Sequence, residues 1–85
     1  MVIHNLADLG KLIRARRKEV GLTTTQAAEM AGVSRRLLTE LERGKRRNVG
    51  AGAVFKILEL LGLRIDVDRR GLPGTGRGGP ESAGV

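Results

Sequence analysis

Arg35, Arg36, Thr39 and Arg43 stand at i, i+1, i+4 and i+8, a spacing that gathers side chains on one helical face. Leu37, Leu38 and Leu41 fill the opposite face. A guanidinium is a planar fork of donors. It suits any flat pair of acceptors: a carboxylate, a phosphate, or the O6/N7 edge of guanine. Glu40, at the margin of the charged face, either accepts from the amino group of cytosine or orients a neighbouring arginine. Lys45, Arg46 and Arg47 follow as a basic run better suited to phosphates than to bases. Nothing else in the chain suggests chemistry. There is no cysteine, no metal-ligand cluster and no Ser/His/Asp arrangement with supporting context. The acidic residues fall where capping or ion pairing accounts for them. No enzyme activity, metal or cofactor is therefore expected, and the lone His4 reads as a solvated side chain.

Four helices must position these residues. Asn5 to Val20 is the first, with Asn5 as its cap, Asp8 reaching back to complete a box, and Gly21 as its stop. Leu6, Leu9, Ile13 and Val20 share its apolar face, with Leu12 beside them, while Lys11, Arg14 and Lys18 face water. Thr23-x-x-Gln26 is a capping-box pattern that opens a second helix, Thr24 to Ala31. Its Ala27, Ala28 and Ala31 are small enough to let a neighbouring helix come close. Gly32 is the turn. Ser34 caps the third helix, Arg35 to Arg43, and Gly44 ends it. The fourth runs from Gly50 to Leu61, frayed at Gly50 and Gly52 and stopped by Gly62. Val54, Ile57, Leu58 and Leu61 supply its apolar face, and Phe55 is expected to close one end of the core.

Two short helices joined by a glycine turn, the second with a basic outer face, make a helix-turn-helix. The first turn of such a second helix lies in the major groove of duplex DNA. Arg35, Arg36, Thr39 and Glu40 are then the base-reading candidates. Thr24, Ser34, Arg43, Lys45, Arg46 and Arg47 are the phosphate candidates. Composition agrees. Lys plus Arg number 16 against 9 acidic residues. The only charged residues of 69–85 are Arg69, Arg70, Arg77 and Glu81, so most of the excess sits in the folded part, as nucleic-acid binding requires. Phe55 is the sole aromatic residue, which disfavours the stacking platforms used for single strands and RNA loops. No apolar run approaches the roughly 20 residues of a spanning helix, and no signal peptide is visible. The expected location is the cytoplasm, on the nucleoid, with no membrane partner.

Leu63, Arg64, Ile65, Asp66, Val67 and Asp68 alternate apolar and polar for six positions, the strand period. No other segment reads as a strand, and a lone strand leaves its backbone groups unpaired. Its partner is expected to be the same strand of a second chain. A two-fold register centred on Ile65 sets Arg64 against Asp66 and Leu63 against Val67, whereas centring on Asp66 would oppose two carboxylates. An 85-residue chain has a small core, and oligomerisation would supply what it lacks. The expected organisation is therefore an all-α domain over residues 1–68 with one dimerising strand, and a disordered Gly/Pro-rich tail over 69–85. Two patterns in that tail, Leu72-Pro73-Gly74-Thr75-Gly76 and Gly74-x-Gly76-x-x-Gly79, read as coincidence. The first lacks the apolar and basic segments of a sorting signal, and neither a helix nor a βαβ unit follows the second.

Gly21 to Lys45 resembles the phage-repressor-like Xre family of helix-turn-helix regulators. The resemblance rests on GLT at Gly21–Thr23, on Ala28, on GVS at Gly32–Ser34 and on LERGK at Leu41–Lys45. It implies a structural ion pair between an arginine late in the first helix, matching Arg17, and a glutamate ending the third, matching Glu42. On a helical wheel Arg16 lies nearer the apolar stripe, so the wheel alone leaves Arg16 and Arg17 as alternatives. Thr24 stands where the family carries glutamine, and Ala27 where it carries a larger leucine. Val54 to Leu61 leading directly into Leu63–Val67 is similar to the C-terminal half of Hip-type (HipB-like) antitoxins. That resemblance implies a strand lid across a homodimer, repression of its own operon at a pseudo-palindromic operator, and binding to a HipA-like kinase toxin. A stand-alone Xre regulator without a toxin and a protein-interaction module with weak DNA binding are the alternatives.

Overall fold

The computed structural model describes residues 2–67 and 69. It contains four helices, α1 (Leu6–Glu19), α2 (Thr24–Ala31), α3 (Arg35–Glu42) and α4 (Ala51–Leu60). The tail expected to be disordered lies outside the described residues apart from Arg69.

Side chains decide where three of the helices begin. The Asn5 side chain accepts from the Asp8 amide at 2.8 Å. Thr23 and Gln26 exchange bonds of 2.9 and 3.0 Å as a full capping box. Ser34 Oγ accepts from the Leu37 amide at 3.0 Å. Each satisfies donors that helix geometry leaves without partners, a contribution of about 1 kcal/mol apiece. Asp8 does not return to the Asn5 amide; it accepts from His4 N at 3.1 Å, one residue outside the expected box. Gly50 brings no side-chain bond to the head of α4.

The apolar faces meet in one core of Ile13, Ala27, Ala28, Ala31, Leu38, Leu41, Ile57, Leu58 and Leu61. α1 packs on α3, and α2 packs on both α3 and α4. Two residues assigned to this core lie outside it. Val20 is 41 % exposed because it caps α1 beyond the last regular turn and has left the stripe. Phe55 is 58 % exposed because the buried stripe of α4 runs through Ile57, Leu58 and Leu61, with Phe55 on its flank.

One buried residue has no side chain at all. Gly10 sits where α1 meets α3. A Cβ at this position would fall on the Leu41 carbonyl oxygen, 2.8 Å from its carbon and 3.2 Å from Glu42 Cα. The two helices therefore approach backbone to backbone.

Among the described residues no β-strand forms, and residues 63–67 belong to neither helix nor ladder. A ladder needs a second strand, and no other described segment of the chain forms one.

Candidate nucleic-acid interface

The turn between α2 and α3 is set by Gly32, whose φ of 75° is left-handed and suits glycine. The amides of Gly32 and Val33 bond back to Glu29 O and Ala28 O, closing α2. Two residues later Ser34 starts α3. This short passage turns α3 so that Leu38 and Leu41 are buried while Arg35 and Arg36 stand exposed on its first turn. Thr39 and Glu40 are half-buried along the same helix, and Arg43 is exposed at its C-cap. Gly44, with φ of 70°, reverses the chain at the far end, with Gly44 N bonding Leu41 O and Lys45 N bonding Glu40 O. Lys45 and Arg47 are exposed in the loop that follows. Thr24 is half-buried in the first turn of α2.

Arg46 behaves differently from its neighbours. It turns inward, with Nη1 donating to Glu40 Oε1 at 3.0 Å and Nε donating to Asn48 O at 3.1 Å. The other oxygen of Glu40 accepts from Arg36 Nε at 3.0 Å. Glu40 thus joins the first turn of α3 to the loop at its end. The Arg36 hydrogen bond is the chief reason its carboxyl is held below the usual glutamate range; partial burial opposes this, and Arg46 reinforces it. The i, i+4 spacing of Arg36 and Glu40 was a usable sequence signal for their pairing. Nothing in the run Lys45-Arg46-Arg47 marks the middle residue as the inward one.

The structure brings Arg17 and Glu42 together as a bidentate pair, Nε to Oε2 at 2.8 Å and Nη2 to Oε1 at 2.9 Å. Arg17 Nη1 also donates to Leu22 O at 2.8 Å. One guanidinium so joins α1, the turn into α2 and the end of α3. The two side chains are 11 % and 5 % exposed. The hydrogen bonds that Arg17 donates to Glu42 raise its pKa above its ordinary value, against burial, which lowers it. Arg16 takes another course, donating from Nε to Leu61 O at 2.9 Å and from Nη1 to Glu19 at 3.1 Å. Sequence reasoning missed this cap on the end of α4.

Chemically, the surface of α3 offers guanidinium donors at its first turn, a hydroxyl at Thr39, and cations at Arg43, Lys45 and Arg47. Leu63 to Val67 are not part of it. They follow α4, where Arg64 Nε lies 3.6 Å from Asp66 Oδ1 of the same chain, both side chains being exposed. Among the described residues no group of His, Cys, Asp and Glu is arranged to hold a metal ion. No described helix is long and apolar enough to cross a membrane.

A family model described as Helix-turn-helix matches residues 13–67. Over 61 residues the chain is 41 % identical to a protein of Sinorhizobium fredii described as the uncharacterized HTH-type transcriptional regulator y4mF. The match covers 72 % of this chain and 79 % of that protein.

Proposed function

The chain belongs to the helix-turn-helix family of transcriptional regulators, and on that premise we propose that it is a sequence-specific, double-stranded DNA-binding repressor acting as a homodimer. The observation that carries this reading is the first turn of α3, capped by Ser34, with Arg35 and Arg36 exposed above the buried Leu38 and Leu41. In the major groove that turn meets base edges. An arginine there bonds guanine O6 and N7 together, worth about 1–3 kcal/mol of discrimination. Arg35 and Arg36 are the principal readers, with Thr39 beside them. Ser34, Thr24, Arg43, Lys45 and Arg47 hold phosphates, and these contacts supply affinity without sequence information. Arg46, already committed to Glu40 and Asn48, contributes its charge rather than a free fork.

Selection from a randomised duplex library, followed by a footprint upstream of the chain's own gene, tests the reading. A pseudo-palindromic consensus should emerge, with half-sites about 34 Å apart or a multiple of that. Arg35→Ala should relax preference at one position of each half-site. Lys45→Ala should weaken all duplexes alike and lower the slope of log affinity against log salt by about one. Binding that ignores sequence, or has no salt dependence, would sink the proposal.

The dimer rests on a second surface. Phe55, Leu58, Leu63 and Ile65 line an apolar groove edged by Glu59 and Arg64. Phe55, Ile65 and the adjoining Val67 are all exposed in the single chain. Pairing residues 63–67 with a second copy, centred on Ile65, would give partners to backbone groups beyond Leu63 N, which already bonds Leu58 O, and cover this groove. Arg64 and Asp66 would then alternate in charge across the two-fold axis. Arg64→Glu should shift sedimentation toward monomer, and adding Asp66→Arg should restore the dimer. A double variant as monomeric as the single one would overturn this register.

The finer role we propose is the antitoxin of a Hip-type pair, supported by the likeness of Val54–Leu61 and Leu63–Val67 to that group. The likeness to the Sinorhizobium fredii relative, described as a transcriptional regulator, favours a second reading as a stand-alone regulator. Co-purification with the product of an adjacent kinase-like reading frame separates the two.

A further inference from the structure

We propose that Glu40 is a specificity-determining positioning residue that aims Arg36 at its base and does not itself read one. The inference rests on the DNA-reading assignment of α3. Arg36 is the more exposed of the two partners: its side chain is 86 % exposed, against 32 % for Glu40. An arginine so exposed has many rotamers, and ordering it on binding opposes association. With Nε held at 3.0 Å by Glu40 Oε2, much of that ordering precedes the arrival of DNA, and both Nη groups remain for a two-point contact.

Glu40 is itself held. Its second oxygen accepts from Arg46 Nη1 at 3.0 Å, and Arg46 Nε is fixed by the Asn48 carbonyl at 3.1 Å. The carboxylate is therefore braced by Arg46 of a loop that the backbone bond from Lys45 N to Glu40 O ties to the same turn of α3. A bare carboxylate facing phosphates would repel them; between two guanidiniums it carries no net negative field. Shared between two cations and half-buried, it is also a poorer acceptor for cytosine than an unpaired glutamate would be. The arrangement links a base-reading arginine to the loop that carries Lys45 and Arg47, so base readout and phosphate contact share one support.

The test is a randomised-duplex selection with the full chain and the variants R36A, E40A, E40Q and R36A/E40A, each checked by circular dichroism. R36A and E40A should flatten the same base-pair column. E40A should reduce preference for the favoured pair there about tenfold, within the range one arginine–guanine contact supports. Affinity for random-sequence duplex should hold or rise, since a negative charge is gone. E40Q, which keeps one acceptor for Arg36, should retain most of the preference. The double variant should be no worse than R36A alone. If E40A flattens a different column from R36A, Glu40 reads a base directly and the proposal falls. It also falls if E40A weakens every duplex equally with all columns intact. Should E40A unfold, E40Q decides: any loss of preference confined to the Arg36 column supports the proposal, and a loss at a different column overturns it. A wild-type chain without any preferred column is a different failure, that of the DNA-reading assignment itself.

Discussion

Gly10→Ala is expected to lower the thermal midpoint of the domain by about 15 °C or more, or to prevent folding. Helix propensity predicts the opposite sign. In a helix interior, alanine is more favourable than glycine by about 1 kcal/mol. At Gly10 the added methyl would coincide with the Leu41 carbonyl oxygen, and the atoms nearest to it belong to the backbone of α3. No side-chain rotation relieves that overlap, so α1 and α3 must separate. Overpacking costs about 1–3 kcal/mol where neighbours can shift, and more where they cannot. In a domain this small, each kcal/mol moves the midpoint by about 4–8 °C. Separation would also loosen Ile13 from Leu38 and Leu41, all of them buried. Thermal denaturation followed by circular dichroism decides the matter. A midpoint that rises on Gly10→Ala would mean that the helices do not approach so closely.

The second large effect is expected at Arg17 and Glu42. Arg17→Ala and Glu42→Ala should each destabilise by about 3 kcal/mol in chemical denaturation, the lower part of the range for breaking a buried pair. The lower part applies because the domain is thin and water lies close to any group in it. Each single change strands the other charge away from water, and Arg17→Ala also leaves the Leu22 carbonyl without its donor. An apolar replacement of both partners, Arg17→Met with Glu42→Leu, should recover much of the loss, because no unpaired charge then remains. The recovery would be incomplete by the share of the Leu22 bond. Single variants as stable as the wild type would show that the pair carries no structural role. Since Arg17 joins three elements, these variants should also blur the orientation of α3, so sequence preference should fall alongside stability.

Local signals made most of the fold legible. Asn5, Thr23 with Gln26, and Ser34 are residue types whose oxygens bond amides two or three positions on, and all three begin helices here. Gly32 and Gly44 end helices for an equally local reason. Where the outcome depended on residues that only folding brings together, local patterns were silent, and the Arg17–Glu42 pair was reached through family resemblance alone. Gly10 reads as a mild propensity defect until Leu41 is seen against it. Arg46 is one of three successive cations, and only the position of Glu40 across the loop turns it inward. The wheel set Arg16 nearer the apolar stripe than Arg17, yet the carbonyl of Leu61 draws Arg16 and the carboxylate of Glu42 draws Arg17. Phe55 shows the converse failure. Hydrophobicity alone assigned it to the core, whereas it lies on the flank of the stripe and lines an open groove. The strand over 63–67 alternates correctly, but alternation describes a side-chain pattern and cannot supply a ladder partner.

The alanine wall of α2 has a thermodynamic meaning beyond its fit. Ala27, Ala28 and Ala31 are all buried, and α2 packs through this face between α3 and α4. Alanine has no rotamers to surrender on folding, whereas a leucine gives up about 0.5–1 kcal/mol of side-chain freedom. The wall gains less from desolvation than larger residues would, yet it loses almost nothing to rotational restriction. It also offers no alternative side-chain conformers through which the seam could repack. The support beneath the arginines of α3 is thus a joint of low rotational cost, made from residues that have no internal motion to freeze.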